Sequence, residues 1–422
     1  MIRADAENQV RESLNHLFRY HAGQMVAVLS RIFGVANIDL IDDSVQDALV
    51  VALKTWPYGE TPENPRAWLI QVAKNRVLDR LRHDKRSDSI DFDSTELELV
   101  AKPSSETRLA GEMGEDELRM IFACCHPSIP ADGRVALTLK IVGGFSVAEI
   151  ASAYLSSDDA AAKMLTRAKA KFRDGGISLE IPAQAELSER LDSVLRVLYL
   201  MFNEGYAASS GEGLIRRDLC SEAIRLAHII AGHPVTCGPK VHALTALFLF
   251  QAARLSARSN HHGDLLLLSE QDRSRWDSQM LTTALRHFRL SAGGTELSDY
   301  HLEAEIASHY ALAQDFESTN WDRILSCYDI LQARRFSPVV ELNRIIALGK
   351  VNGPAQALDE LSQLGGNYLM TSFNLFHITR GHILSETGDA SEAIAAYQRA
   401  VELTKNKAVL RFLNKRIGQL SL

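Results

Sequence analysis

The sequence lacks the features of a secreted or membrane protein. Its longest apolar run, ALTALFLF at 243–250, is far shorter than the roughly 20 residues that a membrane span needs. The opening MIRADAENQVRE contains no apolar segment of the kind found in a signal peptide. The 5 cysteines are odd in number and show no disulfide-framework spacing, which suits a reducing compartment. We therefore predict a cytoplasmic protein that makes no membrane contact.

Signatures of catalysis and cofactor binding are also missing. There is no glycine-rich phosphate loop, no GxSxG and no HExxH. The triplet Cys124, Cys125 and His126 has poor zinc spacing, and no second CxxC accompanies it. We expect no catalytic residue, no metal and no cofactor.

What the chain does contain is helical periodicity. Apolar residues recur at i, i+3, i+4 and i+7 in almost every patterned segment, and alternating strand patterns are nearly absent, so the fold class is predicted to be all-α. At 422 residues the chain is too long for one core. An acidic, weakly apolar stretch at 87–117 predicts a flexible linker over residues 87–115.

Positive charge is concentrated in one segment, although the chain as a whole has more acidic than basic residues. The chain has 46 Lys and Arg against 53 Asp and Glu, yet residues 160–173 contain five cations and no acid. On a helical wheel Lys163, Arg167 and Lys171 lie opposite an apolar stripe formed by Ala161, Leu165, Ala168 and Phe172, while Lys169 and Arg173 flank that stripe. Upstream, Ser146 and Glu149 have capping-box spacing. Two short helices with a polar break predict a helix-turn-helix, although a solvated amphipathic helix has the same pattern.

In the N-terminal part of the chain, an acidic helix precedes a basic helix. Residues 38–57 form an amphipathic helix that begins with acids, and residues 65–86 follow as a basic helix. The cations of that second helix are Arg66, Lys74, Arg76, Arg80, Arg82, Lys85 and Arg86.

Together these segments resemble the extracytoplasmic-function (ECF) class of the sigma-70 family. The matching residues are DDSVQDAL, WP, NPRAWL and KNRVLDRLR in the first block, and RVALTLKIVGGFSVAEIA and RAKAKFR in the second. The resemblance implies region 2 at 1–86, region 4 at 116–176 and a C-terminal helical domain at 177–422. The later motifs VLYLMFNEGYAAS, EQDRSRWD and SPVVELNRIIAL resemble a C-terminally extended subgroup with a tetratricopeptide-like tail.

The resemblance also implies partners and site residues. Core RNA polymerase would bind Asp43, Gln46 and Asp47. The −10 promoter element would be read by Lys74, Asn75, Arg76, Asp79, Arg80 and Arg82, with an extruded base captured by the loop at 58–64. The −35 element would be contacted by Lys163, Arg167, Lys169 and Lys171. Met164 stands where relatives often carry Arg, which leaves the −35 sequence preference open.

The tail has a weaker signature. GHILSETGDASEAIAAYQRAVEL at 381–403 shows the small and large positions of a tetratricopeptide repeat, and 347–364 is a weaker copy. A plain helical domain is the alternative. The motifs NEGY and EQDRSRWD suit either a small-molecule site or a buried salt-bridged network, and the second is favoured. A regulatory protein or a ligand on this domain is therefore left open.

The functional prediction is a transcription initiation factor that performs no covalent chemistry. Two rival classes are a helix-turn-helix regulator with a sensory repeat domain and no sigma role, and a helical enzyme whose active site lies in the tail.

Overall fold

The computed structural model describes residues 21–56, 62–87, 106–153, 157–207, 215–260, 264–366 and 368–421. These residues form α-helices and short 3₁₀ turns, and their only β-pairing is the isolated bridge between Ser259 and Leu265. The predicted all-α class is confirmed. In the described part of the chain, no helix is long and apolar enough to cross a bilayer.

The chain divides into two compact units, Met1–Leu198 and Tyr199–Leu422. The helices of the first unit are α1 (21–33), α2 (Ile38–Thr55), α3 (Pro65–Ser87), α4 (Glu106–Cys124), α5 (Ala131–Ile141), α6 (Val147–Ala153) and α7 (Asp158–Asp174). Helix α8 (Gln184–Tyr206) contains the boundary between the units.

The second unit continues with eleven further helices in its described residues. They are α9 (Arg217–Gly232), α10 (Pro239–Ala252), α11 (Ser278–Ser291), α12 (Asp299–Leu312), α13 (Trp321–Arg334), α14 (Pro338–Asn352), α15 (Pro354–Gln363), α16 (Tyr368–Thr371), α17 (Asn374–Thr387), α18 (Ala390–Glu402) and α19 (Lys407–Leu420).

Local sequence signals explain how α6 and α7 begin. The Glu149 carboxylate accepts from the Ser146 backbone N–H at 2.8 Å, and the Ser146 hydroxyl accepts from the Glu149 N–H at 3.2 Å, which is the predicted capping box. Ser157 caps α7 by accepting from the Ala160 N–H at 3.2 Å. The predicted apolar stripe of α7 is buried, and its members are Ala161, Leu165, Ala168 and Phe172.

Helices α2 and α3 pack together through apolar faces. Ile41 and Val45 of α2 and Ala73 and Val77 of α3 are fully buried. Helix α3 begins where Asn64 accepts from the Ala67 backbone N–H at 3.0 Å. The residues that this pair leaves exposed are those that can meet a partner.

The first compact unit extends beyond the predicted edges of region 4. Helix α4 begins at Glu106, inside the stretch predicted as linker, and its Asp116 accepts from Arg31 of α1 at 2.8 Å. In α8, Arg190 donates to the Phe122 carbonyl and Ser193 to the Cys125 carbonyl, both at 2.8 Å. The start of α8 therefore packs on α4, and the compact unit ends at Leu198, within α8.

Helical pairs joined by short glycine turns recur in the second unit. Gly388 ends α17 at φ 86°, a backbone conformation that costs glycine little, and Asp389 then caps α18. The Tyr397 ring lies so close to Gly381 that a β-carbon there would stand 2.7 Å from it. Gly353, at φ 96°, separates α14 from α15 in the same way. The regular tetratricopeptide assignment stays a prediction.

Candidate nucleic-acid interface

One face of α7 presents positive charge to solvent. Lys163, Arg167 and Lys171 are exposed and lie four residues apart, so they form a row about 12 Å long. Within the described residues none of the three takes part in an ion pair or a side-chain hydrogen bond. We call these three residues the basic stripe.

The fourth cation predicted for this surface is engaged inside the first unit. Lys169 Nζ lies 3.0 Å from Asp39 and 3.1 Å from Asp42, both on α2. Burial lowers the pKa of Lys169, but the two carboxylates outweigh that effect and the pKa is raised. Lys169 therefore ties α7 to α2 and lies off the basic stripe.

Asp42 is the centre of this ion-pair cluster. It is 5% exposed, and Lys140 of α5 approaches it to 3.5 Å beside the contact from Lys169. Arg173 adds a contact to Asp39 at 3.5 Å. Sequence analysis did not identify Asp42 or Lys140 as partners, since Asp42 and Lys169 are 127 positions apart.

Two of the residues predicted to read the −10 element contact a residue predicted to bind polymerase. Arg76 and Arg80 of α3 lie 2.9 Å and 2.8 Å from the Asp47 carboxylate of α2. Arg80 is also 3.8 Å from Asp43. These side chains are 38–42% exposed, apart from Asp43 at 73%, so the pairs lie at the surface and solvent can reach them.

The remaining residues predicted on α3 divide by burial. Asn75, Asp79 and Arg82 are exposed, and Arg82 lies 3.8 Å from Asp79. Lys74 is 8% exposed, and burial lowers its pKa. Its side chain lies on the same side of α3 as buried Val77, so it is not available to the surface that Asn75 and Asp79 occupy.

The exposed face of α2 is mixed in character. Asp43 and Gln46 are exposed, and Val50 and Leu53, one and two turns further along, are 46% and 45% exposed. Sequence analysis gave the two polar residues and missed the two apolar ones, although their spacing of three to four residues was available as a signal. We call these four residues the α2 face.

The predicted base-capture loop lies largely outside the described residues, which resume at Pro62. At its edges, the rings of Trp56 and Trp68 are 5.6 Å apart. Trp68 is half-buried against Trp56 rather than enclosed in the core.

The Cys–Cys–His triplet carries no reactive group. Cys124 and Cys125 are buried, and burial raises the pKa of the Cys125 thiol to about 12, so it stays protonated. His126 pairs with the Ser128 hydroxyl at 2.7 Å. The described residues hold no group of three or more His, Cys, Asp or Glu side chains arranged for a metal ion.

Two family models match separate parts of the chain. Residues 17–87 match the family model for Sigma-70 region 2, and residues 190–292 match a family of unknown function, DUF6596. RNA polymerase sigma factor CarQ of Myxococcus xanthus is 27% identical over 173 residues, covering 40% of this chain and 94% of CarQ. No solved structure matches the chain.

These findings first define a class: the chain carries a sigma-70 region 2 domain. Nearly the whole chain is similar to uncharacterized protein R00370 of Rhizobium meliloti (strain 1021). The two are 36% identical over 406 residues, 94% of this chain and 93% of the relative. The chain therefore belongs to one family with R00370.

Proposed function

We propose that this protein is an ECF-type sigma factor that binds core RNA polymerase, recognises −10 and −35 promoter elements and initiates transcription in the cytoplasm. The observation that carries the proposal is the unpaired basic stripe on α7, in the same compact unit as the sigma-70 region 2 domain. The similarity to CarQ, which is named a sigma factor, supports it over 40% of this chain and 94% of CarQ.

Polymerase docking is assigned to the α2 face. Asp43 and Gln46 supply polar contacts, and Val50 and Leu53 supply apolar area beside them. Acids at the rim steer a basic partner into position, whereas the apolar pair contributes most of the affinity once water is excluded.

Reading of the −10 element is assigned to the exposed side of α3. Asn75 and Arg82 carry hydrogen-bonding groups that suit base edges and phosphates. Arg76 and Arg80 would exchange the Asp47 carboxylate for phosphate, which costs little because these ion pairs are accessible to solvent. Lys74 has a structural role in this proposal.

Reading of the −35 element is assigned to α6 and α7 as a helix-turn-helix. The basic stripe would face the duplex, with Lys163 and Lys171 contacting phosphate and Arg167 able to contact guanine. Lys169 has no direct DNA role here, because Asp39 and Asp42 hold it. The tail at 177–422 would modulate these activities.

The test is run-off transcription with purified core polymerase over a promoter library. Full-length protein should give defined transcripts only when core is present. The double variant Asp43→Lys/Gln46→Lys should lose core affinity by roughly a hundredfold, because it reverses the charge of Asp43 and adds a second cation beside it on the α2 face. It leaves Asp47 in place, so the contacts to Arg76 and Arg80 persist.

The matched control is Glu189→Lys, an exposed acid on α8 that should leave core binding unchanged. Promoter binding without core, together with no transcript when core is added, would instead favour a helix-turn-helix regulator with no sigma role. If the double variant bound core polymerase as tightly as the unmodified protein does, the α2 face would not be the docking surface.

A further inference from the structure

The second unit contains a cluster of arginines and aromatic rings outside every surface discussed above. Arg254 and Arg258 follow the end of α10, Arg273 lies in a 3₁₀ turn before α11, and Tyr206 and Trp276 flank them. We call these five residues the arginine cluster. They include parts of the motifs NEGY and EQDRSRWD.

Among the described residues, no carboxylate forms an ion pair with the Arg258 guanidinium. It is 8% exposed, its guanidinium lies 3.7 Å from the centre of the Tyr206 ring, and it donates to the Tyr206 backbone carbonyl. Burial, opposed in part by Tyr206 and reinforced by the charge of Arg254, lowers its pKa. Ring faces and carbonyls position a guanidinium but do not neutralise it.

Arg273 is held in a similar way. It donates to the backbone carbonyls of Tyr310 at 3.0 Å, Ala313 at 2.7 Å and Asp315 at 3.2 Å, which lie at and beyond the end of α12. Its guanidinium also lies 4.5 Å from the centre of the Trp276 ring. Burial and then the charge of Arg254 lower its pKa, and the Asp315 and Glu317 carboxylates oppose that shift, so both cations and carboxylates lie within electrostatic range of Arg273.

The carboxylates nearest in sequence are occupied elsewhere. Asp272 accepts from the Ser274 N–H and hydroxyl at 3.0 Å and 2.7 Å, and Asp315 accepts from the Ser318 N–H at 2.7 Å. Across the described residues, none of the three arginines forms an ion pair. Arg344 of the same unit, by contrast, contacts Glu341, Glu360 and Asp329. Within EQDRSRWD, Glu270 pairs with Arg416 at 2.7 Å, so the salt-bridged network favoured from the sequence does not include the three arginines of the cluster among the described residues.

Three donors of the cluster are also unused. Tyr206 Oη, Arg254 Nε and Trp276 Nε1 are buried, and none has a hydrogen-bond partner in the described part of the chain. Buried polar atoms without partners are uncommon in native proteins. Cations without ion pairs and unused donors have the same complement, an acceptor that carries negative charge.

We propose that the arginine cluster binds the oxyanion of a small molecule, a carboxylate or a phosphate group. The guanidinium of Arg254 would form the paired hydrogen bonds that planar oxyanions accept, and the Tyr206 hydroxyl would supply a further donor. Binding at this site would give the second unit a chemical input. The proposal goes beyond the proposed sigma function and does not depend on it.

The test is isothermal titration calorimetry of the full-length protein with sodium phosphate and, separately, sodium benzoate at matched ionic strength. We expect saturable binding of at least one probe with a Kd in the millimolar range or tighter. Tighter binding of phosphate would identify a phosphate ligand, and tighter binding of benzoate an aromatic carboxylate. Arg254→Gln should weaken binding by roughly tenfold or more, with Arg254→Lys between the two.

Two further variants keep the test decisive. Tyr206→Phe removes only the unused hydroxyl, so it should fold normally and still weaken binding. Arg289→Gln removes an exposed cation on α11 and should bind as the unmodified protein does. The proposal would be overturned if neither probe showed saturable binding. It would also be overturned if Tyr206→Phe and Arg254→Gln both bound a probe as tightly as the unmodified protein does.

Discussion

In the first compact unit, the cations of the basic stripe extend into solvent, and no carboxylate pairs with them in the part of the chain that the structure describes. In the second, several exposed arginines join consecutive helices. Arg334 of α13 lies 2.6 Å from Asp299 of α12, and Arg380 of α17 lies 2.9 Å from Glu392 of α18. Each such pair contributes little to stability, because both groups remain hydrated. What they do is place each of these arginines beside a carboxylate, which none of the three basic-stripe cations has among the described residues.

The buried charges differ as well. Asp42 in the first unit is surrounded by Lys140 and Lys169. Glu303 in the second unit has no cation near it among the described residues, and the Tyr199 hydroxyl donates to its two oxygens at 2.9 Å and 3.1 Å. The buried Asp42 is therefore stabilised by charge in one unit, and the partly buried Glu303 by a neutral hydrogen bond in the other.

The largest effect should come from removing the buried carboxylate that has cationic partners. Asp42→Ala leaves Lys140 and Lys169 without their shared partner, and we expect it to lower the free energy of unfolding by roughly 3–4 kcal/mol. The matched substitution Asp299→Ala, in an ion pair whose side chains are 47% and 44% exposed, should cost less than about 1 kcal/mol. Urea unfolding followed by circular dichroism measures the free energy of unfolding of both variants. Equal losses would show that the buried ion pair is worth no more than the exposed one.

The next effect concerns the free cations. Replacing Lys163, Arg167 and Lys171 by Ala should weaken binding to duplex DNA by roughly a hundredfold, ~3 kcal/mol, and reduce the salt slope by about 3. Fluorescence anisotropy at several salt concentrations measures both quantities.

The control for that triple variant removes three cations from the second unit. Arg334, Arg380 and Arg399 each contact a carboxylate, so their replacement by Ala should change DNA affinity far less. Similar losses in the two triple variants would show that net charge, and not the basic stripe, sets the affinity.

A smaller effect should depend on pH. Burial raises the pKa of Glu303 from 4.5 to about 7, although the Tyr199 hydrogen bond opposes the shift. Between these values the folded protein holds a proton that the unfolded chain has released, so stability falls as pH rises through this window. Glu303→Gln should flatten that slope and raise stability at pH 8 by about 2 kcal/mol.

Unfolding free energies at pH 5, 6, 7 and 8 test the sign as well as the size of this effect. The prediction would be contradicted if the free energy of unfolding rose with pH more steeply in the unmodified protein than in Glu303→Gln.

The smallest effect concerns packing between consecutive helices. Gly381→Ala places a β-carbon 2.7 Å from the Tyr397 ring and should cost roughly 1–2 kcal/mol after the gain in helix propensity. Gly418→Ala in α19 meets nothing within 4 Å, so it should stabilise by a few tenths to about 1 kcal/mol. Thermal unfolding of the two variants should therefore shift in opposite directions.

The sequence by itself determined the features that arise within a few turns of one helix. The helical class, the Ser146–Glu149 capping box, the buried stripe of α7 and the exposure of Lys163, Arg167 and Lys171 all follow from the 3.6-residue period and from local hydrogen bonding. These properties need no knowledge of which helix packs on which, and each could be assigned correctly.

Only the tertiary structure decided which charged side chains remain available. Lys169 belongs to the same cationic run as Lys171, yet Asp42, 127 positions away, holds it against α2. Lys74 is buried and Asp47 pairs with Arg76 because α2 and α3 meet along one particular side of each helix. Helical periodicity defines the faces of a helix, but the partner of each face depends on long-range packing, which is not encoded in any single segment.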